Sequence, residues 1–221
     1  MRAYALGQDL RKKGILTAPE FDLSKEWARQ ARGLAERFAK PLGYDSLDEF
    51  METCLPQFPD KPTDDEGLVP IPTLVMPRVP EKGLTYERIC EIDGVARWYD
   101  TNITQDWDAD PQHFATPHVP YATWLGLSEP DTAPSTVRTN LLPTVRGGNV
   151  SDGVAILRNS PSILEFSYLD LPGSQVGAVS APYLCLLGGR PVLDHDLVDF
   201  RSPKWRSVLA GRTMNLGSLK S

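Results

Sequence analysis

Asp106, Asp108 and Asp110 alternate along the loop at residues 100–118, and His113 follows them. Carboxylate oxygens are the donors that a hard cation such as Ca²⁺ or Mg²⁺ takes. The spacing superficially matches an EF-hand loop. Pro111, however, stands where that loop needs glycine, and Pro117 where it needs a bidentate glutamate, so the EF-hand is excluded. Asp106, Asp108, Asp110 and His113 remain candidate ligands of an irregular divalent-cation site. The simpler expectation is a solvated acidic loop with no cofactor. His113 and His118 are five apart in a Pro-bounded loop, unlike the tighter pairs or helical HExxH pattern of zinc sites.

Asp194-His195-Asp196 is the second cluster. A histidine oriented by a carboxylate acts as a general base near neutral pH, which makes these three residues the catalytic candidates. Cys185 and Ser180 lie in the same region, but no Gly-x-Ser-x-Gly elbow or cysteine-protease signature surrounds them. The plainer expectation is a polar turn. If the segment is extended instead, Leu193, His195 and Leu197 share one face.

Binding candidates are more scattered. Gly147-Gly148 precedes an expected helix, where backbone amides beside Arg146 could take an anion. Neither GxxxxGK[ST] nor GxGxxG is present. In the loop at residues 172–177, Ser174 and neighbouring amides could cradle an anionic ligand. The structural alternative there is that Gly173 and Gly177 supply positive φ. Trp107, in the acidic loop, could line a ligand or peptide pocket. Arg190, in the turn Gly188-Gly189-Arg190-Pro191, completes the set.

These residues must be positioned by short elements, because the chain carries 20 prolines in 221 residues. Ser24 is expected to open a helix to about Lys40, with Trp27, Ala31, Leu34 and Phe38 as its apolar stripe. Ser46-Leu47-Asp48-Glu49 is a capping box, and the helix after it aligns Leu47, Phe50, Met51 and Cys54. Residues 57–67 form the best linker. Residues 69–76 carry Pro70 and Pro72 and so suit an edge strand. Residues 84–93 fit either a helix capped by Thr85 or a strand. Strands are expected at 95–99 and 119–127, with helices at 135–141 and from Ser151. The runs 166–171 and 182–187 read as a long-looped hairpin, and Gly188-Gly189 as a tight turn. The pattern implies an α+β fold: N-terminal helices on a mixed or antiparallel sheet. Residues 1–56 form the helical segment and 68–221 the α+β body, together one compact unit.

Net charge is −6, which argues against a nucleic-acid partner. Between residues 51 and 113, thirteen acids face five bases. After Phe200 come only bases, Arg201, Lys204, Arg206, Arg212 and Lys220. Both stretches are expected to be solvated surface. Three cysteines, Cys54, Cys90 and Cys185, have no framework spacing and read as buried thiols of a reducing compartment. The sequence start lacks a signal-peptide core, and no apolar run reaches membrane-spanning length, so the expected setting is the cytoplasm.

Ile92-Asp93-Gly94 with Trp98-Tyr99-Asp100, the run from Pro120 to Leu125, Asp170-Leu171-Pro172-Gly173-Ser174 and Ala181-Pro182-Tyr183-Leu184 together resemble a family of bacterial cytoplasmic proteins with no assigned activity. The resemblance covers roughly the last two thirds of the chain. It implies a bacterial cytosolic α+β domain and no catalytic residue. The leading expectation is a non-catalytic binding protein with a protein or small-molecule partner. The alternative is a hydrolase-like enzyme using Asp/His chemistry, with or without a divalent cation.

Overall fold

The computed structural model describes residues 23–56, 71–98, 103–106, 120–141 and 145–211. The apolar stripe forms helix α1 (Leu23–Phe38) and buries Ala31, Leu34 and Phe38, with Trp27 packed at the margin. Gln30, also buried on this helix, accepts at 2.9 Å from the Leu74 amide and so pins α1 to a strand. In α2 (Leu47–Cys54), the Ser46 hydroxyl accepts from the Glu49 amide. The Glu49 carboxylate reaches back to the Asp45 amide at 2.9 Å. Phe50 and Cys54 turn inward, while Leu47 stays exposed. Thr85 does cap a helix, α3 (Tyr86–Ile92), which settles the ambiguous segment. Two further helices follow, α4 (Pro134–Thr139) and α5 (Val150–Asn159). The cap of α5 is Asn149, two residues before the expected Ser151.

Ten strands join one mixed sheet among the described residues. They are β1 (Ile71–Val75), β2 (Ala96–Arg97), β3 (Ile103–Asp106), β4 (Tyr121–Leu127), β5 (Val145–Gly147), β6 (Tyr168–Asp170), β7 (Ser174–Val176), β8 (Ser180–Leu187), β9 (Arg190–Leu197) and β10 (Trp205–Gly211). The main path runs β1-β4-β10-β6-β8-β7-β3, with β5 on β10, β9 on β8 and β2 on β9. The Pro-containing β1 ends the path, as a strand short of donors should. β10 serves three partners: its start pairs parallel with β6, its end antiparallel with β4 and β5.

The expected long-looped hairpin exists as the β6–β8 pair, with β7 inside its loop. A tighter hairpin follows it. Gly188 and Gly189 take φ of +58° and +78°, the two successive positive values of a two-residue turn, and join β8 to β9. Residues 194–196 therefore lie in a strand and do not form the expected polar turn.

Strand alternation gives the sheet two different faces. Leu169, Leu184 and Leu193 stand side by side in register, are fully buried, and belong to the same core as α1, α2, α3 and α5. Gly153 lets α5 sit close on this face: a Cβ there would come within 2.5 Å of Leu171. The next residues along, Asp170, Tyr183 and Asp194, must point the other way. Cys54, Cys90 and Cys185 are all buried free thiols. Among the described residues no helix is long and apolar enough to cross a membrane.

Candidate functional site

The anion cradle expected beside Gly147-Gly148 is filled from within the chain. The Asp152 carboxylate accepts from Arg146 Nη2 at 3.0 Å, from the Tyr121 hydroxyl at 2.8 Å and from the Asn149 amide at 2.9 Å. Arg146 Nη1 also donates to it. Asn149 completes the capping box by accepting from the Asp152 amide. Burial works against the Arg146 charge, but Asp152 and Tyr121 outweigh it and hold the guanidinium above its ordinary value. Burial, then the Asp152 charge, raises the Tyr121 hydroxyl well above its usual range.

Ser174 belongs to the same structure. Its hydroxyl accepts from the Val150 amide, the first of α5, at 3.2 Å, and the residue is fully buried. Arg138 of α4 donates to the Pro172 carbonyl at 2.8 Å and the Ser174 carbonyl at 2.9 Å. Gly177 has φ of +59°, as expected, whereas Gly173 does not have positive φ. Glycine is needed at 173 for space, because a Cβ there would meet the Gly147 carbonyl oxygen at 2.3 Å.

The Asp194-His195-Asp196 cluster is divided by the strand. Asp194 accepts from the Tyr183 hydroxyl at 3.1 Å and from the His195 amide at 2.8 Å. Asp196 accepts from the Leu197 amide at 2.7 Å. His195 alternates to the opposite face with Leu193 and Leu197 and is exposed. Its ring is therefore not brought onto the face that carries the two carboxylates. Arg190 opens β9 at the hairpin turn, exposed and in register with Leu187. Asp106 ends β3 opposite Ser174. Trp107, Asp108, Asp110 and His113 lie outside the described residues. Among those described, no group of three or more His, Cys, Asp or Glu is placed to hold a metal.

A different set of residues does converge. Asp194 of β9, Tyr183 of β8, Asp170 of β6 and Ser207 of β10 are successive register partners across four strands. Asp170 is 1% exposed and Ser207 is fully buried. Asp170 Oδ2 and Ser207 Oγ have no hydrogen-bond partner among the described residues. Burial, then the charge of Asp196, pushes the Asp170 carboxyl up to about 8, so it is mostly protonated at neutral pH. Burial and Asp194 likewise raise the Tyr183 hydroxyl.

Rings gather beside this row. Trp205 centres 4.5 Å from Tyr183, 5.4 Å from Tyr168 and 4.9 Å from Phe200. Tyr168 stacks on Tyr183 at 6.0 Å. Trp205 is 6% exposed and Phe200 42%, so the cluster runs from interior to solvent. The α4 region borders it: the Asp131 amide donates to the Trp205 carbonyl, and Ser135 bonds the Val198 carbonyl and the Asp199 carboxylate. Asp170 and Ser207 were not among the sequence candidates. The available signal was a small polar residue two positions after an aromatic one, in Tyr168-Leu169-Asp170 and Trp205-Arg206-Ser207.

No family model, no curated protein and no solved structure matches this chain.

Proposed function

We propose that this chain is a non-catalytic binding protein whose ligand or partner sits on the β6–β8–β9–β10 face, against Tyr168, Tyr183, Phe200 and Trp205. The observation that carries this is the ring cluster itself. Four aromatic side chains meet on the sheet face turned away from the leucine core, and the outermost, Phe200, is open to solvent. Aromatic residues clustered at a surface give large contact area at low entropic cost, and they are enriched where proteins bind. The alternative, hydrolase-like chemistry on Asp194, His195 and Asp196, has less support, because the strand turns the histidine away from both carboxylates. A cytoplasmic setting fits three buried cysteines without disulfides. The net charge of −6 supports a small-molecule or protein ligand over a nucleic acid.

The test is a fragment and dipeptide screen by thermal shift on the wild-type chain and on Tyr168→Ser with Phe200→Ser. Leu197→Ser serves as the control, since Leu197 is exposed on the opposite face. Ligands that stabilise the wild type and the control but not the ring variant are expected. Equal stabilisation of all three proteins would contradict the proposal.

A further inference from the structure

We propose that the Asp170–Ser207 pair beside the Tyr168, Tyr183 and Trp205 rings is a binding site for the ammonium head of an alkylamine. This rests on the binding role given above to the same face. Two acceptor-capable oxygens, Asp170 Oδ2 and Ser207 Oγ, stand on adjacent strands in register, buried and without a partner among the described residues. Buried polar atoms are nearly always paired, so two neighbouring orphans point to a missing partner. An ammonium supplies three donors and a positive charge.

The surroundings select that charge. Asp194 and Asp196 face the pair from β9, Tyr183 and Cys185 from β8, and Tyr168 from β6. Asp199, past the end of β9, is held by Ser135. From α4, Arg138 directs its guanidinium to the Pro172 and Ser174 carbonyls. Arg206 alternates to the other face of β10 and donates to the Ser128 carbonyl at 3.3 Å. Carboxylates thus dominate this face and disfavour an anion. Among the described residues no trio of ligands is placed for a metal, whereas aromatic rings attract organic cations.

Binding exchanges one proton. The ammonium donates to Asp170 Oδ2 and Ser207 Oγ, the Asp170 carboxyl gives up its proton to solvent, and the resulting carboxylate pairs with the cation. With that carboxyl near 8, affinity should rise about tenfold per pH unit below 8 and level off above it.

Isothermal titration with n-butylammonium chloride between pH 6 and 8.5, in buffers of different ionisation enthalpy, tests this directly. Benzyl alcohol is the neutral, ring-seeking comparison. Saturable butylammonium binding is expected, tightening about 50-fold from pH 6 to pH 8, with close to one proton released near neutrality. Asp170→Asn, which resembles the protonated carboxyl in shape, should stay folded by circular dichroism and weaken binding at least about tenfold at pH 8. Ser207→Ala should weaken it less. Binding that ignores both pH and Asp170→Asn would overturn the site. Benzyl alcohol binding with no saturable butylammonium binding would overturn the ammonium assignment and leave the ring face intact. If neither probe binds while the screen still finds ring-dependent ligands, the ammonium site alone falls. If the screen finds none, the face falls with it.

Discussion

Arg146 of β5 donates to Asp152 of α5 at 3.0 Å with both side chains almost wholly buried. The pair fixes the N-terminus of α5 to the sheet, and the Tyr121 hydroxyl ties it to β4. Removing one member leaves a buried charge unpaired, which costs far more than an exposed ion pair is worth. Asp152→Asn should therefore lower stability by about 3 to 5 kcal/mol, read as a shift of the urea midpoint at constant slope. The double change Arg146→Met with Asp152→Asn should recover part of that loss. A loss below about 1 kcal/mol for Asp152→Asn would show that the pair is not buried in solution.

Gly173 and Gly177 separate two reasons for glycine. At Gly177 the constraint is φ of +59°, with open space around it. Gly177→Ala should cost about 1 kcal/mol. At Gly173 the constraint is backbone crowding, with the Gly147 oxygen 2.3 Å from an added Cβ and the Gly173 amide bonded to the Gly148 carbonyl at 2.9 Å. Gly173→Ala should cost about 2 kcal/mol or more, because rigid backbone must shift. Denaturant midpoints of the two variants give the ranking, and the reverse order would refute it.

Local signals made much of the fold legible. The stripe of α1 and the Ser46 cap are contained within one or two turns and appear where the sequence placed them, although Glu49 reaches back to the Asp45 amide, one residue before the cap, and the Thr85 cap is one of two readings the sequence left open. The β6–β8 pair and the Gly188-Gly189 turn were legible for the same reason. The site was less so. Arg146, Gly147 and Gly148 carried an anion-cradle signature, but the anion is the chain's own Asp152, and nothing local distinguishes an internal carboxylate from a ligand. Asp170 and Ser207 meet only because β10 lies parallel to β6, 37 positions away in the chain, and register across such a gap has no local signature.

The Asp170 carboxyl should leave a mark on the pH dependence of stability. Its value rises from 3.8 to about 8 on folding, so between those limits the native state holds a proton that the unfolded chain has lost. Its protonated form favours folding at the acid end, and that contribution is lost as pH rises towards 8. The slope from this one group is at most about 1.4 kcal/mol per pH unit. Asp170→Asn should flatten the wild-type decline between pH 5 and pH 8, measured by chemical denaturation. An identical decline in the variant would place the titrating group elsewhere.

Added Ca²⁺ or Mg²⁺ should leave the melting temperature unchanged, since the proposed binding role uses no divalent cation. A saturable rise that Asp108→Asn removes would instead show a cation held by the acidic segment, and would favour the hydrolase-like alternative.

The most direct measurement is amide chemical-shift mapping of the strongest ligand from the fragment screen on the isotopically labelled protein. Shifts concentrated at residues 168–170, 183–185 and 200–207, and absent from the α1 stripe, are the expected result. Shifts centred on the Ala31, Leu34 and Phe38 stripe of α1, or distributed away from the Trp205 ring cluster, would contradict the central claim that this face is where the protein binds.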